Sequence, residues 1–173
     1  MKRIRICAVA ILLAVFAACG AFIPASYAKS IAPNDINFDW IFTVVESYNH
    51  RRWSIAPETI IYNPENETVE VSIWVEPLTR DAQAEFNLIC MMADGVMNNI
   101  EHDIIGMYNT YVVSLNTSSF IRLDSMGVYK TDSGELGAVK LSKNTVPTSI
   151  FPYDRPIGDC AIAALMIVAM EEE

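Results

Sequence analysis

The sequence predicts an α+β fold, an antiparallel sheet of roughly five to seven strands packed by a central helix and a C-terminal helix. Two observations predict it. Residues 68–76 alternate between apolar and mostly polar side chains, the period of two that is typical of a strand with one buried face. Residues 160–170 form an uncharged apolar run, too short to cross a bilayer and too apolar for a helix in water. We therefore expect this run to pack as a helix on the sheet.

The first 28 residues have the three-part layout of a bacterial-type secretory signal. A short basic start is followed by an uncharged run over residues 6–23 and by a small-residue ending at Ala28. Cleavage after Ala28 would leave a mature chain that begins at Lys29. The protein is therefore expected in the periplasm or at the cell surface.

A second processing route is open at Cys19. Residues 16–20 loosely resemble a lipobox, in which a small residue precedes a cysteine that receives lipid. A lipidated Cys19 would tether the protein to a membrane as an outer-membrane lipoprotein. The alternative is that Cys19 is one more apolar residue of the signal.

The mature chain has the size of one domain and a strongly acidic composition. Residues 29–39 are polar and are interpreted as an N-terminal lead, and residues 40–173 as a single α+β domain. Residues 1–28 carry three of the 12 basic and none of the 21 acidic residues, so the remainder has a net charge of −12. Because such a surface repels phosphate backbones, a nucleic-acid partner is not expected.

Local patterns place the individual elements. Strands are predicted at residues 40–45, 59–62, 68–76, 108–115, 120–123, 127–130 and 136–141. A central helix is predicted over residues 80–105, capped by Thr79 and ended by Gly106. Apolar side chains recur in it at spacings of three and four, at Phe86, Ile89, Met92, Val96, Ile100 and Ile104. The C-terminal helix over residues 160–170 is expected to be capped by Asp159, with Ile162, Leu165, Met166 and Val168 in the core.

Two cysteines remain once the signal is removed, Cys90 and Cys160. An even count in an oxidising compartment favours a disulfide that joins the central and C-terminal helices. The alternative is a pair of buried thiols that pack as small apolar groups.

No motif predicts catalysis, a metal site or a cofactor, and we expect a protein that is not an enzyme. Residues 101–103 are Glu-His-Asp, but neighbours on a helix point in directions about 100° apart, so this group is interpreted as a solvated helix end. No nucleophile elbow and no phosphate-binding glycine loop occurs in the sequence.

One local cluster has the composition of a recognition site. It consists of Tyr48, His50, Arg51, Arg52 and Trp53. Arginine and aromatic side chains are enriched at the energetic centres of protein interfaces. The alternative is a rigid polar hairpin turn whose Trp53 packs into the core.

Several short segments, taken in order, resemble those of a known family. They are residues 40–42 (Trp-Ile-Phe), the aromatic turn at 48–53, Ser-Ile-Ala-Pro at 54–57, Ser-Ile-Trp-Val at 72–75, and Ile-Phe-Pro at 150–152. The order resembles that of small envelope proteins of the surface-adhesin protein E type. The resemblance implies an antiparallel sheet with helical packing and, for some members, adhesion to host proteins.

The expected function is therefore a non-catalytic, adhesin-like interaction module of the envelope, with a protein or an envelope component as partner. The alternative is a periplasmic carrier of a small ligand or lipid. Its pocket would lie between the sheet and the Met-rich central helix, which carries Met91, Met92 and Met97.

Overall fold

The computed structural model describes residues 43–93, 102–150 and 154–171. The expectations that concern the signal, Cys19, the lead at residues 29–39 and Met97 lie outside the described residues.

The described residues form eight strands, two helices and one 3-10 turn at Pro57–Thr59. The strands are β1 (Thr43–Tyr48), β2 (Arg51–Ile55), β3 (Ile61–Asn63), β4 (Thr68–Pro77), β5 (Ile104–Ser114), β6 (Ser119–Lys130), β7 (Leu136–Lys140) and β8 (Asn144–Ser149). The helices are α1 (Arg80–Met91) and α2 (Arg155–Glu171). Neither described helix is long and apolar enough to cross a membrane.

The eight described strands belong to one antiparallel sheet, in which six of them have the order β1-β2-β4-β5-β6-β7. β3 pairs with β4 beyond the end of β2, and β8 pairs with β6 beyond the end of β7. The predicted α+β class is confirmed, although the described residues hold eight strands rather than five to seven. The strands predicted at residues 120–123 and 127–130 are one long strand, β6, whereas β2 and β8 were not predicted.

Both described helices lie on one face of the sheet, which we call the helical face. The alternation along β4 is confirmed there, because Val69, Val71, Ile73 and Val75 are all buried in the main core. α1 contributes Phe86 and Cys90 to this core, and α2 contributes Cys160, Ala161 and Ala164.

α1 begins as the sequence predicts but ends earlier. The Thr79 hydroxyl accepts a hydrogen bond from the Ala82 amide, so the predicted cap is confirmed. The helix ends at Met91, and Ile104 begins β5 instead of closing a helix. Ile104 is fully buried in the same core as Phe86, which explains why its spacing imitated a helical period.

Amide side chains of α1 bind the start of β5. Gln83 donates from Nε2 to the Ile104 carbonyl at 2.8 Å, and the Ile104 amide donates to Oδ1 of Asn87 at 2.8 Å. Gly106, predicted as a helix stop, lies inside β5 beneath the ring of Trp74. The glycine is needed there because the ring lies directly against its backbone.

α2 is longer than predicted and is rotated relative to the expectation. It begins at Arg155, so Asp159 is not its cap but lies in its first turns, paired with Arg155 at 3.1 Å. The residues that it buries are mostly small, whereas Ile162 and Met166, both expected in the core, are exposed. Leu165 and Val168 are half-buried.

The predicted disulfide is absent. Cys90 and Cys160 both belong to the described residues, are fully buried, and carry thiols that are not joined to each other. The Cys90 sulfur packs against Gly127 of β6. Burial raises the pKa of the Cys90 thiol to about 11.

Candidate interaction surface

The sequence cluster of Tyr48, His50, Arg51, Arg52 and Trp53 forms the hairpin between β1 and β2. Its turn residues Asn49 and His50 have φ angles of 48° and 59°. Positive φ at both central positions is the mark of the tight turn that suits a twisted hairpin. The structure therefore brings all five side chains into one hairpin at the edge of the sheet.

The two arginines of the hairpin are engaged within the molecule. Arg51 forms an ion pair with Glu85 of α1 at 2.5 Å, and its guanidinium lies 5.3 Å from the centre of the Phe86 ring. Arg52 pairs with Glu76 of β4 at 2.9 Å. Each positive charge is thus matched by a neighbouring carboxylate.

Trp53 packs against the main core, whereas Tyr48, His50 and Arg52 are exposed. This arrangement agrees with the alternative that the sequence left open, a hairpin turn fixed to the core by its tryptophan. The cluster connects β1 and β2 to α1 and β4.

A different surface, on α2, carries large apolar side chains in the open. Ile162, Met166 and Met170 are 57%, 63% and 75% exposed, and Ala169 is exposed beside them. These four residues, which we call the α2 outer face, follow one another at positions i, i+4, i+7 and i+8. They lie on one side of the helix, opposite the side that packs on the sheet.

Small side chains on the inner side explain this outward display. Cys160, Ala161 and Ala164 are fully buried or nearly so, which lets the helix axis approach the sheet closely. The larger apolar residues of the same uncharged run are then left on the outside. The recurrence of small residues three and four positions apart was the sequence signal for this orientation, whereas hydrophobicity alone did not distinguish the two sides.

α1 shows the same division. It buries Ala82, Phe86 and Cys90, and it exposes Leu88 and Ile89; Met92, directly after its last residue, is exposed as well. A side chain at Gly127 would overlap the Cys90 sulfur, so α1 and β6 are in direct contact there. Met92, which follows the last residue of α1, is 61% exposed, so its side chain does not line a space between this helix and the sheet.

The titratable group at residues 101–103 does not form a helix end in the part that is described. His102 and Asp103 directly precede β5. The His102 ring stacks on Tyr129 with a centroid distance of 5.7 Å, and its Nδ1 lies 3.7 Å from Asp132. Asp103 accepts a hydrogen bond from Asn87 at 2.8 Å. Within the described ranges, no group of three or more histidine, cysteine or acidic residues is arranged to hold a metal ion.

Comparisons with known proteins add little to this geometry. No family model and no curated protein matches the sequence. Among solved structures, Haemophilus influenzae protein E in its crystal form II is similar over 84% of this chain and 100% of that chain, with a TM-score of 0.45 and 14% sequence identity. The likeness is weak and carries no argument about function.

Proposed function

We propose that the protein is an exported, non-catalytic, adhesin-like module that binds a protein partner through the α2 outer face. The observation that supports this proposal is the line of Ile162, Met166 and Met170, each more than half exposed on a helix that has no charged residue from 160 to 170. A contiguous apolar surface of this kind is typical of a site of interaction.

The spacing of the exposed residues suggests the shape of the partner. Anchors at i, i+4, i+7 and i+8 are those of a helix that lies in a hydrophobic groove. The sequence ends in three glutamates directly after Met170. A fitting partner therefore has an apolar groove whose rim is basic at the end that receives the C-terminus of α2.

The experiment uses the full chain, exported in its own host cells, with a photoreactive p-benzoylphenylalanine in place of Met166. Illumination should give one discrete protein adduct. The same group in place of Lys143, an exposed residue between β7 and β8, is the matched control and should not give this adduct.

The adduct is then identified and the partner purified. The purified partner should bind the mature protein, and the double substitution Ile162→Ser, Met166→Ser should weaken that binding by at least an order of magnitude, since each anchor loses about 1–3 kcal/mol of apolar burial. Equal binding by the parent and the double variant would contradict the proposal, as would adducts that contain only lipid.

A further inference from the structure

The face of the sheet opposite the helices, which we call the second face, carries a row of polar side chains. Ser72 lies on this face because its neighbours Val71 and Ile73 point into the main core on the helical face. Directly paired residues of neighbouring strands share a face, so the row Ser72–Thr110–Asp124 crosses β4, β5 and β6 on the second face.

Two more polar side chains lie beside this row. Glu70 precedes Ser72 by two positions in β4, and Tyr108 precedes Thr110 by two positions in β5, so both point to the second face as well. We call Glu70, Ser72, Tyr108, Thr110 and Asp124 the oxygen cluster. Two of its five members are carboxylates and three carry a hydroxyl group.

A bulge in β6 turns Asp124 to this face. Thr110 is paired with Asp124, but the next residue of β5, Tyr111, is paired with Arg122, so Leu123 is an extra residue in β6. In a regular strand Arg122 and Asp124 would share a face. With the bulge, Arg122 lies opposite Tyr111 of the main core, whereas Asp124 lies opposite Thr110. Bulges are frequent beside functional sites, where they redirect a side chain.

Two polar atoms of the oxygen cluster are buried without a partner. Tyr108 is completely buried, and Asp124 is only 3% exposed. Oδ1 of Asp124 accepts a hydrogen bond from the Ser125 amide, whereas Oδ2 and the Tyr108 hydroxyl have no hydrogen-bond partner among the described residues. A buried carboxylate oxygen without a partner is costly, which favours a ligand at this position.

The members of the oxygen cluster lie close enough to act on one another. The hydroxyl oxygens of Ser72 and Thr110 are 3.2 Å apart. Burial raises the pKa of Tyr108, the hydroxyls of Ser72 and Thr110 lower it, and the carboxylates of Asp124 and Glu70 raise it further. The Tyr108 hydroxyl is therefore within electrostatic reach of the other four groups.

This set of donors has the chemistry of a site for a hard cation. Carboxylate and other oxygen donors suit Ca²⁺ and Mg²⁺, whereas softer metals prefer nitrogen and sulfur. Ca²⁺ accepts about six to eight oxygens in an irregular arrangement. Mg²⁺ requires a near-ideal octahedron and retains several waters, for which a buried cluster is less suited. The two carboxylates also match the charge of a divalent ion.

We propose that the oxygen cluster binds one Ca²⁺-like cation, with the carboxylates of Asp124 and Glu70 as charged ligands and the three hydroxyl groups as neutral ligands. The cation supplies the partner that Oδ2 of Asp124 and the Tyr108 hydroxyl require, and it joins β4, β5 and β6. The inference does not rest on the proposed function, because the α2 outer face lies on the other side of the sheet.

The first test uses Tb³⁺, a luminescent substitute for Ca²⁺, with the full exported protein refolded from urea in its presence. Trp74 follows Ser72 by two positions on the second face and can transfer excitation energy to a bound ion. The parent should give a luminescence that saturates at one ion per chain and that Ca²⁺ abolishes. Asp124→Asn, which keeps the shape of the side chain and removes its charge, should not give it. Glu135→Gln, an exposed residue directly before β7, removes the same charge elsewhere and should behave as the parent.

The second test is thermal unfolding in a chelator and in Ca²⁺. In the chelator the two carboxylates of the parent are unmatched, so Asp124→Asn should unfold at the parent's temperature or above it. In Ca²⁺ the order should reverse, because a ligand that binds only the native state adds to its stability. Glu135→Gln should follow the parent in both solutions.

Equal Tb³⁺ luminescence in the parent and in Asp124→Asn overturns the proposal. So does an unfolding temperature of the parent that Ca²⁺ leaves unchanged, which is the result expected if water alone fills the oxygen cluster. If Asp124→Asn does not fold, Glu70→Gln at a half-buried position decides. This variant should weaken Tb³⁺ binding by about tenfold or more, since the affinity of such sites depends on the number of charged ligands. An unchanged affinity contradicts the site.

Discussion

Gly106 lies so close to the ring of Trp74 that only a residue without a side chain fits there. A methyl group on Gly106 would overlap the indole ring, which is itself held between Ser54 and Tyr108 in neighbouring strands. We expect Gly106→Ala to lower the free energy of unfolding by about 1–3 kcal/mol, the usual cost of overpacking. Urea denaturation measures this loss.

Trp74→Phe offers the matched background for the Gly106 substitution. A phenyl ring leaves room for the added methyl group, so Gly106→Ala should cost less in the Trp74→Phe protein than in the parent. Equal costs in both backgrounds would show that the ring is not the obstacle.

The buried Tyr111 should make the free energy of unfolding fall at alkaline pH. Burial raises the pKa of Tyr111 from 10.0 to about 12, a shift that the nearby Arg122 opposes. Because the folded state holds this proton more tightly than the unfolded state, the contribution to stability is complete below pH 10 and is lost as the pH rises toward 12. Urea denaturation between pH 8 and pH 12 should show this fall, by roughly 1–3 kcal/mol.

The substitution Tyr111→Phe removes the titrating group from the same site. The variant should lose less stability than the parent between pH 10 and pH 12, and the Cys90 thiol, whose pKa is also raised by burial, should still contribute a fall from about pH 9. Identical pH dependence of the parent and the variant would contradict the assignment.

At the scale of elements, strands with a clear alternation were predictable and the ends of helices were not. β4 follows from its period of two, since its valines and Ile73 meet both helices. β2 was missed because its charged residues suggested a turn, whereas Arg51 and Arg52 are matched by carboxylates of α1 and β4. β8 was not predicted; it contains Pro147, which an edge strand tolerates. These compensations come from distant residues that local patterns do not contain.

The candidate interaction surface also depended on contacts between residues that are distant in the sequence. The sequence pointed to the hairpin of Arg51 and Arg52, and tertiary ion pairs satisfy both charges. The α2 outer face depends on which side of an almost uniformly apolar helix meets the sheet. That choice is made by packing, because small residues allow the closer approach.

The orientation of α2 is testable by two substitutions on opposite sides. Ala164 is fully buried, so Ala164→Leu should overfill the core and cost about 1–3 kcal/mol. Met166→Ser, on the exposed side, should change stability by no more than about 0.5 kcal/mol. Chemical denaturation of both variants gives the comparison, and the reverse order of effects would mean that the helix is rotated.

The N-terminal cap of α1 is a separate element-scale test. The Thr79 side chain accepts a bond from the Ala82 amide at 3.3 Å. Thr79→Ala should lower the free energy of unfolding by about 1 kcal/mol, whereas Thr79→Ser keeps the acceptor and should cost less. Thermal unfolding of the three proteins would contradict the cap if the alanine and serine variants behaved alike.

At the scale of the whole molecule, one sheet is completed on its helical face by α2, which contacts β4, β1 and β2. Removal of the chain after Asp159 takes away Cys160, Ala161 and Ala164, and thereby uncovers Ile55 and the buried residues of β4. Apolar area of this extent is a large part of what stabilises a domain whose net stability is only about 5–15 kcal/mol. The truncated protein should therefore aggregate or unfold without a cooperative transition. Guanidinium denaturation at several protein concentrations distinguishes these outcomes from the parent's behaviour. The matched control is the full-length double variant Ile162→Ser, Met166→Ser. This variant alters only the α2 outer face and should keep the midpoint and slope of the parent's unfolding curve. A truncated chain that kept the parent's midpoint and slope would contradict this expectation. It would show that the packing of α2 on the sheet contributes little to the free energy of unfolding.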